Sequence, residues 1–466
     1  MLFSTIFFIF TFLPILLAIY FMIPAKKMRA RNGVLLVASL IFYSWGEPVY
    51  VALMIFSIAF NWYMSLVIER TKSKEVSAKK ELVFTIIVNL FIMGFFKYFG
   101  FLMETINFIF RTHIKYTALA LPIGISFYTF QALSYVFDVY KGTVGAQKNV
   151  LKFGLYLSLF PQLIAGPIVK YRDVAEQLDS RECTQQKFGE GACRFIFGLS
   201  KKVILANNLG ALYDVITSLP HSKVTVMTYW IGIIAYTFQI YFDFSGYSDM
   251  AIGLGRMFGF EFLENFNYPY ISKSVTEFWR RWHMSLSTWF REYVYIPLGG
   301  NRVSKKRHIL NLLIVWSLTG LWHGAAWNFV FWGTYFGIIL VVEKYLIGEY
   351  IEKWNDGLRH IYTLVIVIIS WVFFSRPGLS ALKYLGVMFG IGANGFADST
   401  TLYLLRTSII ILIISAVCST PRVIEEFDRI SRERYIAGAV ILMILFLLSV
   451  AYLVYSSYNP FLYFRF

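Results

Sequence analysis

Two of the six histidines in this 466-residue chain stand where an imidazole is hard to explain as a surface residue. His323 lies in the run Trp316-Ser-Leu-Thr-Gly-Leu-Trp-His-Gly324, inside an apolar stretch that follows the basic cluster Arg302, Lys305, Lys306, Arg307 and His308. The next acidic side chain downstream is Glu343. His283 sits 40 residues upstream (323 − 283), in Phe278-Trp-Arg-Arg-Trp-His283. A neutral imidazole can take a proton from a hydroxyl while that hydroxyl attacks an activated acyl group, which is general-base chemistry suited to neutral pH. The developing oxyanion needs donors aimed at the same place, and Trp322, Asn328 and backbone amides freed at a helix break are the candidates.

A helix beginning at Ile309 carries His323 15 residues beyond His308 (323 − 308), roughly 22 Å along its axis. That is past the middle of a hydrocarbon core about 30 Å thick. An ionisable group at such depth reads by default as a functional site. On position alone an interhelical hydrogen-bonding role is the alternative.

Composition places the rest of the chain around this helix. With 58% hydrophobic, 19% aromatic and only 15% charged residues, and a mean hydropathy of +0.60, the chain does not have the make-up of a soluble globular domain, in which about a quarter of residues are charged. The reading is an all-α polytopic membrane protein forming one integral membrane domain over residues 1–466. The net charge of +16 argues against nucleic acid, because the Lys and Arg residues sit in links between apolar runs, as the positive-inside rule requires. Cys183, Cys193 and Cys418 form neither an even disulfide framework nor a metal-ligand spacing. No metal is expected, nor a Gly-rich phosphate loop or a Gly-x-Ser-x-Gly nucleophile elbow. Residues 1–22 lack a basic n-region and a cleavage site and are followed by positive charges, so they read as a retained helix with its start outside.

Taken in order, the basic links 26–31, 70–80, 170–202, 302–307 and 422–434 are expected in the cytoplasm and both termini outside. Residues 82–100 and 121–140 read as crossings, with an external stretch up to 120. Residues 153–169 contain Pro161, Gly166 and Pro167 within an apolar run, so a broken or re-entrant segment is expected. Residues 170–202 read as a cytoplasmic loop with surface helices. A crossing at 225–241 runs into Asp243-Phe-Ser245-Gly-Tyr-Ser-Asp249, polar groups that cannot face lipid and must line a cavity or pack inside. Asp243, Ser245 and Asp249 are therefore candidate substrate-binding residues. Residues 277–295 show a helical stripe, with Phe278, Trp282, Leu286, Trp289 and Tyr293 on one side and Arg280, His283, Ser287 and Arg291 on the other. An amphipathic helix at the membrane interface follows from it, and Arg280 and Arg291 become candidates to engage an anionic substrate. Later spans are placed near 361–374, 382–392, 401–418 and 435–455.

Four stretches carry a resemblance. Gln239-Ile-Tyr-Phe-Asp243-Phe-Ser-Gly-Tyr-Ser-Asp249-Met-Ala-Ile-Gly, Phe278-Trp-Arg-Arg-Trp-His283-Met-Ser-Leu-Ser-Thr-Trp-Phe-Arg291, Tyr295-Ile-Pro-Leu-Gly-Gly300-Asn and Leu321-Trp-His323-Gly resemble the motif series of the membrane-bound O-acyltransferase (MBOAT) superfamily. Leu159-Phe-Pro-Gln-Leu-Ile-Ala-Gly-Pro167 and the tail 459–466 match its bacterial AlgI/PatA-like branch, which O-acetylates alginate or peptidoglycan. The motif region is 239–324, and the likeness spans nearly the whole chain.

The resemblance implies that His323 is the catalytic histidine and His283 the second, upstream position, which binds or orients rather than reacts. It implies a ring of about 11 transmembrane or re-entrant helices around a central catalytic tunnel. It further implies transfer of an acetyl group from a cytoplasmic thioester, acetyl-CoA or an acyl carrier protein, with no bound cofactor. The acceptor would be a hydroxyl on the outer face of a bacterial plasma membrane, reached through an extracytoplasmic SGNH-type partner. D-alanyl transfer to teichoic acid, of the DltB kind, is the alternative within the family. A polysaccharide-precursor flippase is the alternative from another class, since broken helices and buried polar groups also mark transporters.

Overall fold

The computed structural model describes residues 1–117, 119–456 and 458–462. Ser457 and the last four residues of the motif tail lie outside that set. Every regular element among the described residues is helical, and the chain divides into two compact units. Among the described residues six helices are long and apolar enough to cross a membrane: Val51–Thr71, Val76–Phe110, Trp327–Ile351, Asp356–Ser375, Ser399–Cys418 and Tyr435–Tyr455. The helix Lys305–His323 is less apolar because it carries Lys305, Lys306, Arg307, two histidines and Asn311. The chain is a multi-pass membrane protein.

The first unit comprises Met1–Phe195 and Ser248–Glu264. Its helices Val51–Thr71, Glu75–Phe110 and Ile125–Lys141 pack on one another and are pinned by buried polar pairs. Asn61 and Asn89 exchange amide hydrogen bonds of 3.1 and 2.8 Å, the kind of satisfied polar contact that joins helices where water is absent. Glu75–Phe110 is longer than the expected 82–100 crossing. Its 36 residues span about 54 Å and extend past the hydrocarbon core, and it stops where Arg111 turns left-handed at φ 52°. The segment expected to be broken is broken: Val150–Ser158 gives way at Leu159, and Phe160–Leu163 adds one short turn with Pro161 near its start. Gly124, at φ 74°, begins Ile125–Lys141 where a Cβ would overlap the Leu163 carbonyl oxygen, so only glycine fits there.

The helices expected within 170–202 are present as Tyr171–Asp179 and Gln185–Ser200. Several cations of this segment are buried. Arg181, 8% exposed, donates to the Phe258 backbone carbonyl (2.9 Å), the Asn32 side-chain oxygen Oδ1 (2.7 Å) and the Tyr20 hydroxyl (3.1 Å). A basic residue marks a solvated link only when no internal acceptor claims it.

The second unit comprises Ile196–Tyr247 and Asn265–Phe466. At its centre the hairpin of Lys305–His323 and Trp327–Val342 packs along its length. Gly320 and Gly333 permit this approach: a Cβ on Gly320 would overlap the Phe329 carbonyl oxygen, and one on Gly333 the Trp316 carbonyl oxygen. Small residues at a helix interface serve this purpose in membranes.

The single amphipathic helix expected over 277–295 is not formed. Val275–Arg281 ends at Trp282, and His283 takes φ 45°, ψ 53° before Met284–Phe290 and a π-helical turn, Arg291–Tyr295. The left-handed residue redirects the chain, so the tryptophan and histidine of the motif enter the core. Trp282 is 3% and His283 2% exposed.

Candidate active site

His323 is the last residue of its helix, and Gly324 leaves in extended conformation (φ −161°) to start the hairpin turn. A Cβ on Gly324 would run into the Phe329 ring, so this turn is tight for want of space. The imidazole, 4% exposed, is enclosed by rings. The centroids of Trp322, Trp332 and Phe374 lie 5.1, 5.2 and 5.6 Å away. His283 faces it at 6.3 Å with the planes at 70°, and also meets Trp322 at 5.9 Å. Rings locked by mutual packing hold the two imidazoles in fixed orientations, as general-base chemistry demands.

The position of His283 is set by a residue that sequence spacing did not single out. Asn265 accepts from the Met284 amide through its carbonyl (2.9 Å), and through its side chain from the Ser285 amide (3.2 Å) and hydroxyl (2.8 Å). Glu343 acts likewise on the preceding helix. Its buried carboxylate accepts from the amides of Val275 (2.7 Å) and Thr276 (3.0 Å) and from the Thr276 hydroxyl (3.0 Å), meeting the free donors of a helix N-terminus with a negative charge. A lone acid within an apolar run was the available signal for it. Asn311, fully buried, donates to the Leu298 and Gly300 carbonyls at 3.1 and 3.2 Å and thereby fixes the Gly299-Gly300 turn, both residues of which have positive φ.

A cavity of about 290 Å³ opens beside these elements, with Trp279, Leu286, Phe290 and Trp316 among its apolar walls and Arg280, Arg291, His308 and Lys344 as its basic lining. Thr319, one helical turn before His323, also lines it. Trp279 packs on Trp316 (4.4 Å) and Trp332 (5.7 Å), and Trp332 in turn meets the His323 ring at 5.2 Å. His308 is clamped between hydroxyls, its Nε2 2.7 Å from Tyr295 and its Nδ1 2.5 Å from Tyr345. Arg280 and Arg291 are exposed and both line this cavity.

The other named candidates lie elsewhere. Asn328 turns its amide toward the Phe373 and Phe374 carbonyls (3.4 and 3.3 Å), away from an oxyanion-donor role in this conformation. Asp243 forms a buried ion pair with Lys202 at 2.6 Å and accepts from the Leu462 amide at 2.7 Å, which fastens the tail. Ser245 is buried, 2% exposed. Asp249 belongs to the first unit, where Arg194 donates to it at 2.9 and 3.1 Å and also pairs with Glu264. Among the described residues no group of three or more His, Cys, Asp or Glu is placed to hold a metal ion.

Residues 145–386, which contain both histidines and every residue lining the cavity, match the MBOAT, membrane-bound O-acyltransferase family. The chain belongs to that family. Its relatives include the probable alginate O-acetylase AlgI of Azotobacter vinelandii, 38% identical over the whole of both chains. The peptidoglycan O-acetyltransferase of Helicobacter pylori is 36% identical over 85% of this chain and 80% of its own. The teichoic acid D-alanyltransferase of Bacillus subtilis is 27% identical over 54% of this chain and 66% of its own. As a member of this family the protein is a membrane O-acyltransferase.

Proposed function

We propose that the protein moves an acetyl group from a cytoplasmic thioester across the membrane for O-acetylation of a cell-wall or extracellular polysaccharide, with His323 as the general base. The observation that carries this reading is the placement of His323 one helical turn beyond Thr319 at the cavity wall. The cavity combines apolar walls, suited to a narrow acyl-bearing arm, with a basic lining of Arg280, Arg291 and Lys344, suited to phosphates. In the transfer step the Nε2 or Nδ1 lone pair of His323 takes the acceptor hydroxyl proton, the hydroxyl oxygen attacks the thioester carbonyl, and the C–S bond breaks as the imidazolium returns that proton to the departing sulfur, releasing the thiol. His283, held beside it by Asn265, orients the acceptor or its partner imidazole. Trp322 contributes an indole N–H at the same place.

Acetyl is preferred to D-alanyl because the relatives named for O-acetylation match the chain over 84 to 100% of its length, against 54% for those named for D-alanyl transfer. The donor is acetyl-CoA or an acyl carrier protein, and an extracytoplasmic SGNH-type protein completes the transfer to the glycan. The whole chain acts as one membrane domain of the bacterial plasma membrane, with both termini outside.

Sidedness is tested with single cysteines at Ser304 and Ser457 in a background lacking Cys183, Cys193 and Cys418. A membrane-impermeant thiol reagent on intact cells is expected to label position 457 and spare position 304, and the reverse pattern overturns the proposed direction. The donor is tested with isotopically labelled acetyl-CoA supplied to membrane vesicles of known orientation. Label reaching the glycan or partner only when the cytoplasmic face is exposed supports the reading; transfer only from the opposite face rejects it.

A further inference from the structure

In the first unit, the turn joining Leu13–Met22 to Met28–Gly46 borders an open cavity of about 580 Å³ lined by Lys26, Lys27, Arg29, Asn32, Lys152 and Asp179. Lys152 is ion-paired with Asp179. Asn32 is committed too, donating to the Leu178 carbonyl and accepting from Arg181, both at 2.7 Å. Lys26, Lys27 and Arg29 form no ion pair among the described residues. Three like charges therefore share one concave surface on which the carboxylate of Asp179 is already taken by Lys152, an arrangement that a further anion stabilises. The first turn of Met28–Gly46 opens here as well, with no side chain capping it.

The surroundings identify where the anion comes from. Met22, four residues before Lys26, is 82% exposed, and Leu151, next to Lys152, is 62% exposed. Phe21 is 40% exposed. Exposed apolar side chains beside cations make the composition of a membrane–water interface. A soluble anion has no use for that apolar rim, whereas a phospholipid places its chains against the rim and its headgroup among the cations. We propose that this cavity binds the phosphate headgroup of an anionic phospholipid. The site shares no residue with the acyl-transfer cavity, and the inference is independent of the proposed reaction.

The test uses the full chain reconstituted in nanodiscs of phosphatidylcholine containing one-fifth phosphatidylglycerol, followed by release into mild detergent and native mass spectrometry of the lipid retained. Wild type is expected to retain phosphatidylglycerol in preference to phosphatidylcholine. The Lys26→Gln/Lys27→Gln/Arg29→Gln variant is expected to lose that preference by about tenfold or more, since each such cation contributes on the order of 1 kcal/mol near an anionic surface. A variant with Lys74, Lys79 and Lys80 changed to Gln removes the same charge from another exposed segment and is expected to keep the preference. Arg29→Glu alone provides a milder second variant should the triple change fold poorly, and is expected to weaken retention. Equal retention in the cavity variants, equal loss in the control variant, or displacement of the lipid by millimolar inorganic phosphate each overturns the proposal.

Discussion

The imidazoles of His283 and His323 face each other with centroids 6.3 Å apart and planes at 70°, although one closes a long helix and the other sits at a break between two short ones. The rings of Trp322, Trp332 and Phe374 pack around His323 and fix the arrangement.

His283 occupies a left-handed backbone position, a region that asparagine also tolerates. His283→Asn is therefore expected to keep the fold and remove only the ring. Acyl transfer should fall, by up to about 10²-fold, and less than for His323→Ala. Glycan acetylation and melting temperature measured side by side check this. Complete loss with an unchanged melting temperature would instead make His283 directly catalytic.

The glycines of the central hairpin set how close His323 comes to its cage. Gly320→Ala forces a Cβ into the Phe329 carbonyl oxygen, so the helices must separate. Stability is expected to fall by about 1–3 kcal/mol, the usual cost of overpacking, together with activity. Gly94→Ala, where a Cβ meets nothing within 4 Å, is the matched control and is expected to leave both unchanged.

Glu343→Ala leaves the Val275 and Thr276 amides buried without their acceptor. Each unsatisfied donor costs about 1–3 kcal/mol, so the melting midpoint followed by tryptophan fluorescence should drop clearly. Glu343→Gln, which keeps an acceptor oxygen, is expected to lose less.

The Lys202–Asp243 pair is almost fully buried, with side chains 3% and 1% exposed. Removing one partner strands a charge at a cost of about 3–5 kcal/mol. Lys202→Met is therefore expected to destabilise more than Lys202→Met/Asp243→Leu, a non-additivity that paired melting curves of the two variants reveal.

Much of the architecture was legible from residue order alone. The apolar runs marked the helices, the prolines of 153–169 marked the break, and the histidine expected to lie deep, His323, is buried. What escaped was decided by tertiary partners. Spacing at threes and fours predicted a continuous 277–295 helix, because a left-handed turn at a histidine leaves no trace in periodicity. Arg181 and Lys202 counted as loop charges because buried acceptors such as Phe258 and Asp243 come from residues distant in the chain. The polar run from Asp243 to Asp249 was rightly placed away from lipid, yet Asp243 holds the tail and Asp249 holds Arg194. Asn265 and Glu343 position the histidine segment through bonds that no local pattern announces.

The central claim is that His323 is the base, and the most direct measurement is glycan O-acetylation in cells producing His323→Ala at wild-type abundance in the membrane. Loss of acetylation on the order of 10²–10⁴-fold, with insertion and melting temperature unchanged, is the predicted result. Wild-type acetylation in that strain would contradict the account.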